Sequence, residues 1–407
     1  MSPSPLHLFD ALGIEMEYML VDPNTLNVRS DVDLIFKAAS GSFVSDFEDG
    51  AIAWSNELVR HVMEVKVAHP VPNMTGLTAE FQRSINRINR LSENIPAHLL
   101  PTAMHPWMDP VKETQLWPHE YAEVYRTFDR VFDCRRHGWA NLQSVHVNLP
   151  FCGDDEFARL HAAVRLVLPL IPALAASSPV MEGRRTGVMD NRLDVYTKNS
   201  RIIPHITGEV IPEPVYSHAA YDELIFQPMY RAIAPYDPEE ILQDEFLNAR
   251  GAIARFDRNA IEIRLIDVQE TPAADLAIVQ AVVHAVRWMV EEKTCTWATQ
   301  SAWLPGPLRA ILLDTIQNAE QTMITNRDYL ALWGVTTPCT AGDLWKTITH
   351  DLTADEPAIG NALHHILQNG PLARRMLSQL PETPRHDDLT HLYRALATCL
   401  AEGKMLD

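Results

Sequence analysis

Near its start the chain reads GIEMEYMLVD, from Gly13 to Asp22, and this run limits the folds open to it. Strand alternation puts Ile14, Met16 and Tyr18 on one face and Glu15, Glu17 and Met19 on the other. The apolar face needs a packed layer behind it. The other face carries two carboxylates roughly 7 Å apart along the backbone, and burying such groups costs on the order of several kcal/mol unless something positive meets them. The segment therefore asks for a sheet with one apolar face and one acidic face.

Acids recur on other segments that read as extended. Glu57 and Glu64 lie in NELVRHVMEVKVAHP, and Glu262 and Asp267 lie in AIEIRLIDVQETP, while SVHVNLPF adds His146. A single acid on a strand ordinarily faces solvent. Several on different strands with their faces aligned make a cage of hard oxygen ligands, which Mg²⁺ and Mn²⁺ prefer, and imidazole suits Mn²⁺. The spacing between Glu57 and Glu64 is odd, so a regular strand would turn them to opposite faces. Their convergence requires a bend or bulge between them. Arg264 follows Glu262 by two and shares its side. Arg184, Arg192, Lys198 and Arg201 fall in residues 177–217, an irregular stretch rich in Gly, Pro, Arg and Asn that reads as a functional loop or lid. Lys198, and Arg184 or Arg185 taken singly, read as ordinary surface residues. Arginines beside Mg²⁺ suit phosphoryl transfer, yet neither GxxxxGK[ST] nor GxGxxG occurs.

The rest of the chain reads as helices from Thr75 to about Leu99 and from His119 to about His137. A third is DDEFARLHAAVRLVLPLIPALAA, capped by Asp154 or Asp155 and bent by Pro169 and Pro172. A hairpin turns around Asp257–Asn259, and helices dominate from Ala273 onward. Strands spread along the chain, with helices between and after them and no clean linker, predict a single large α+β domain. A net charge of −19 argues against nucleic acid and anionic membrane as partners. Five scattered cysteines without a CxxC pair argue against a disulfide framework or structural zinc and fit a reducing, cytoplasmic compartment. No leader is expected from MSPSPLHLFDALGIEMEY, and no membrane span, since no uninterrupted apolar run reaches about 18 residues.

Six of these segments, in this order, match a known pattern. GIEMEYMLVD resembles a G-[IV]-E-x-E strand. NELVRHVMEVKVAHP resembles a segment with two acids seven apart. TAMHPW, SVHVNLPF, SSPVMEGRRTGVMDNRLDVY and AIEIRLIDVQETP resemble HP, H-x-[NG], SP…G…TG…R and EVR…D elements. Over about residues 10–290 the sequence resembles the glutamate–cysteine ligase family, with its bacterial carboxylate–amine ligases, in the glutamine synthetase superfamily. The resemblance implies a curved, mostly antiparallel sheet forming a funnel and backed by helices. Residues 1–300 would be the catalytic core and 301–407 a helical extension packed on it.

It also implies dependence on ATP and on two or three Mg²⁺ ions, with Mn²⁺ as an alternative. Glu15, Glu17, Glu57, Glu64, His146 and Glu262 would be metal ligands. Arg264 would contact the transferred phosphoryl group, Arg192 and Arg201 would meet phosphate or substrate carboxylate, and Arg264 with Glu57 would be the catalytic pair. Many relatives read HVHVG where this chain has Ser144, His146 and Asn148, so the first histidine is replaced. The implied reaction converts a carboxylate, glutamate being the family's usual donor, to an acyl phosphate that cysteine or another amine displaces. Trp54, Trp107 and Trp117 read as core residues first and as acceptor-pocket candidates second. A divalent-metal hydrolase, or a non-catalytic binding protein on a ligase scaffold, would use the same acids. Zinc hydrolases usually bring more histidine.

Overall fold

The computed structural model describes residues 5–92 and 94–407. Residues 1–4, part of the segment expected to carry no leader, and residue 93, inside an expected helix, lie outside that description. An antiparallel sheet of eight strands forms the centre. They are β1 (Gly13–Val21), β2 (Asp46–Asp49), β3 (Ile52–Asn56), β4 (Val62–Val67), β5 (His98–Leu100), β6 (Ser144–Pro150), and, after a small hairpin of β7 (Val180–Met181) with β8 (Arg184–Arg185), β9 (Ala252–Arg255) and β10 (Ala260–Asp267). The order is β2-β3-β4-β1-β6-β10-β9, with β5 pairing onto β1.

Alternation decides what each face does. Ile14, Met16 and Tyr18 of β1, Met63 and Val65 of β4, Val145 and Val147 of β6, and Ile261 and Ile263 of β10 are all fully buried in one core. Helices cover that face. The helix Leu77–Ser92 packs behind β3, where Trp54 Nε1 donates to Ser84 Oγ at 2.6 Å. The helix Pro272–Val290 lies behind β1, where the Tyr18 hydroxyl reaches Asp275 at 3.4 Å. By length and composition this second helix is apolar enough to cross a membrane. Here it is a core helix with most of its length buried, and Asp275, Gln280, His284 and Arg287 interrupt it, so it holds no uninterrupted apolar run of about 18 residues. The C-terminal helices join the same layer: Tyr329 and Trp345 hydrogen-bond to the carbonyls of Leu166 and Leu170.

Several expected boundaries move. The first helix stops at Ser92 rather than near Leu99, because β5 follows. The expected His119–His137 helix is Ala122–Phe132 followed by a separate turn at His137–Ala140. The Gly153–Val167 helix is not capped by Asp154 or Asp155: Cys152 occupies the cap position, and Asp154 accepts the backbone N–H of His218 instead. As expected, Pro169 and Pro172 end its regular part, leaving a tight turn at Leu168–Leu170 and a short helix Pro172–Ala175. NELVRHVMEVKVAHP is not extended throughout, since β3 ends at Asn56 and the chain reverses through residues 57–61 into β4. All five cysteines are free thiols.

Candidate active site: a carboxylate row between two cavities

The acidic face is assembled by register. Glu15 pairs with Lys66 of β4 on one side and His146 of β6 on the other, Glu17 pairs with Glu64, and Glu262 pairs with Asn148. All of these sit on the face opposite the apolar core, so four acids and the histidine converge from four neighbouring strands. Glu57 joins them differently. It sits in the turn after β3, and the hairpin reversal, rather than a bend in one strand, brings it to Glu64. Carboxylate oxygens of Glu17, Glu57 and Glu64 approach within 4.8 Å of one another, as do ligand atoms of Glu15, Glu64 and His146.

The row is tightly held. The Ser144 backbone N–H and hydroxyl both donate to Glu17, at 2.6 and 2.9 Å. With its own proton so used, Ser144 Oγ accepts from His146 Nε2 at 2.9 Å, leaving Nδ1 facing Glu15 at 3.3 Å and Glu262 at 3.8 Å. Asn148 Nδ2 donates to Glu15 at 3.1 Å. The residues that replace the first histidine and the glycine of the HVHVG pattern thus orient two of the acids. Such outer partners fix the free ring nitrogen of a would-be ligand.

The electrostatics are those of a site short of positive charge. Burial, reinforced by neighbouring carboxylates, raises Glu15, Glu17 and Glu64 above the usual carboxylate range and pushes Glu57 well above it. Glu262 goes the other way. Burial would raise it, but Arg264, His146 and Arg255 outweigh that and hold it low. Arg264 Nε lies 3.2 Å from Glu262, and Arg255 approaches from β9 at 3.6 Å. An oxygen-rich cage with one imidazole matches the donor preference of Mg²⁺ or Mn²⁺; Glu15, Glu17, Glu57, Glu64, His146 and Glu262 are the residues available to hold it.

Asp267 belongs to a different arrangement. It is three residues past Arg264, yet a bulge between Ile263 and Ile266 returns it to the same face. There it is fully buried, paired with Arg192, and accepts from Ser177 N–H at 2.9 Å and Ser178 Oγ at 3.0 Å. It anchors the irregular stretch to the sheet. Arg192 is thereby fixed at the cavity wall, with its guanidinium 3.4 Å from the Arg264 carbonyl. Arg201 is not brought in: it is exposed and lies outside the cavity, as do Arg184 and Lys198, which pair locally with Glu182 and Asp194.

Two cavities open along the row. The first, about 480 Å³, has Glu17, Glu57, His146, Arg192 and Arg264 on one wall. Tyr121, Tyr125, Phe128, Trp139 and Phe246 add an aromatic lining. Trp54 and Trp117 are in the core and Trp107 packs against His105 and His386, so none of the three lines it. The second, about 260 Å³, is lined by Glu15, Lys66, Asn148 and Arg258 among smaller apolar residues. Sequence reasoning missed the aromatic wall, which has no shared period. It also missed Lys66, which the same two-residue spacing that paired Glu15 with Glu17 would have found.

The model of glutamate–cysteine ligase family 2 matches residues 11–395. The chain belongs to this family. An uncharacterized protein of Archaeoglobus fulgidus is 32% identical over 97% of the chain and 99% of its own length. A Rubrobacter xylanophilus protein, provisionally named glutamate–cysteine ligase 2-3, is 28% identical over 46% of the chain and 48% of its own length. Among solved structures, the fold is shared with glutamate–cysteine ligase of Francisella tularensis, crystallised with AMP, at a TM-score of 0.61 and 11% identity over 98% of this chain and 90% of that one. It is also shared with a bifunctional glutathione synthetase of Pasteurella multocida, at 0.55 and 13% over 96% and 52%. Family and fold together support a carboxylate–amine ligase.

Proposed function

We propose that this family member is an ATP-dependent ligase that activates a carboxylate, glutamate by family precedent, as an acyl phosphate and transfers the acyl group to cysteine or another amine. The observation that carries the reading is the convergence of five carboxylates and His146 beside Arg264, at the junction of two cavities. When bound, Mg²⁺ or Mn²⁺ would neutralise polyphosphate and carboxylate so that the two anions can approach. Arg264, fixed by Glu262, would stabilise charge on the moving phosphoryl group. Arg192, immobilised by Asp267, would orient the carboxylate substrate. Glu57, on a turn rather than a strand, is the acid with most freedom to accept the proton the amine must lose. The aromatic wall would exclude water from the acyl phosphate and seat an apolar part of the substrate.

A hydrolase reading has less support, because His146 is the one imidazole in the row among the described residues. The test is a coupled assay for ADP. Release should require both Mg²⁺ and an amino acid and should vanish in Glu15→Gln. Full activity in that variant would overturn the metal assignment, and ADP release indifferent to amino acids would overturn the ligase.

A further inference from the structure

The row contains one charged group that the ligase reading leaves unused. Lys66 follows Glu64 by two on β4 and stands directly opposite Glu15. Its ammonium is 2.9 Å from Glu64 Oε1 and 3.7 Å from Asp46. Ser55 Oγ donates to the same Glu64 oxygen at 2.6 Å. Glu64 Oε1 therefore already carries two donors, and only Oε2 is open to a cation. Glu64 is also the acid common to both ligand groups, Glu15–Glu64–His146 and Glu17–Glu57–Glu64. Two ions sharing Glu64 would draw on both of its oxygens, and the ammonium occupies one.

Charge points the same way: the carboxylates of Glu15, Glu17, Glu57, Glu64 and Glu262 outnumber the cations beside them, Lys66, Arg255, Arg258 and Arg264, so the row has need of a bound cation. Lys66 also lines the second cavity, where Arg258 is the other cation. An anion entering there meets the ammonium at the edge of the row.

We propose that Lys66 is a tethered cation standing in for a second divalent ion until a polyphosphate enters the second cavity. The ammonium then moves from Glu64 Oε1 to a phosphate oxygen, and the freed Glu64 oxygen receives the ion that arrives with the phosphate. No covalent bond is made or broken in this exchange, and Arg258, the other cation of the second cavity, meets part of the charge that the polyphosphate brings. The polyphosphate half rests on the ligase reading; the stand-in half does not.

The test counts Mn²⁺ by equilibrium dialysis on the whole protein, with folding checked by thermal melting. Without nucleotide the wild type should bind one ion tightly, Lys66→Met two, and Lys66→Arg one. Affinity for the non-hydrolysable analogue AMP-PNP with Mn²⁺ should fall about tenfold to a hundredfold in Lys66→Met, the loss of a charged hydrogen bond, and be largely kept in Lys66→Arg. Two tight ions in the nucleotide-free wild type, or one in Lys66→Met, would overturn the stand-in role. Unchanged AMP-PNP affinity in Lys66→Met would overturn the exchange. If the wild type does not bind AMP-PNP while Lys66→Met still gains an ion, the ligase reading fails and the stand-in role survives.

Discussion

Glu17 and Glu64 face each other directly across the β1–β4 ladder, with Glu57 within 4.8 Å of both. Like charges directly opposite on paired strands destabilise a sheet, and here burial adds to the repulsion. Such a pair persists where a cation turns the cost into binding. Glu64→Gln should therefore stabilise the metal-free protein by roughly 1 kcal/mol, since glutamine keeps an oxygen for Ser55 and Lys66. The same variant should lose most of the rise in melting temperature that Mg²⁺ gives the wild type. Melting curves with EDTA and with excess Mg²⁺ check both signs at once.

The placement of Glu15, Glu17, Glu262 and Arg264 was legible because each pair obeys the two-residue period of a strand and needs nothing beyond its own segment. Glu57 and Asp267 were not. One reaches the row by a chain reversal and the other by a bulge, and both devices break the period that sequence reasoning relies on. Arg192 and Arg201 show the remaining limit. They lie nine apart in one irregular stretch, and only the tertiary anchor at Asp267 turns the first inward while the second stays exposed. Tyr125, Trp139 and Phe246 come to the first cavity from three separate segments, which no local pattern records.

Arg264 should act on the chemical step rather than on folding. Its side chain faces the first cavity beside Glu262. Arg264→Met should lower kcat by about a hundredfold to a thousandfold, the size expected for removing one preorganised donor to developing charge. Nucleotide binding, followed by thermal shift, should change much less. Equal losses in kcat and in nucleotide affinity would place the residue in ground-state binding instead.

Two buried histidines set an acid limit on the fold. His61 Nε2 lies 2.6 Å from the Ala140 carbonyl and His105 Nε2 lies 2.7 Å from that of Leu26. In the neutral tautomer both donate. Burial pulls both down from the usual 6.5 to about 4. The unfolded chain takes up these protons at higher pH than the folded one, so their contribution is complete above about 6.5. It is lost as pH falls toward 4, by on the order of 3 kcal/mol each at most. His105→Gln keeps a donor for Leu26 but cannot titrate. Its urea midpoint should fall less between pH 7 and pH 4.5 than that of the wild type, and identical slopes would count against the assignment.

The Arg192–Asp267 pair should be the most costly single contact to break in the site. Both partners are buried, and Asp267 also accepts from Ser177 and Ser178. Removing one member leaves an uncompensated charge inside, typically about 3–5 kcal/mol. Asp267→Asn should lower unfolding free energy by that order in urea titrations. Arg192→Met with Asp267→Asn should cost less than the two single losses added together, because the two charges of the pair leave together. The three donors to Asp267 all come from residues 177–192, so Asp267→Asn should also raise backbone hydrogen exchange there before it does so in β1 or β6. Uniform exchange across the sheet would mean that Asp267 holds the core rather than the segment that carries Arg192.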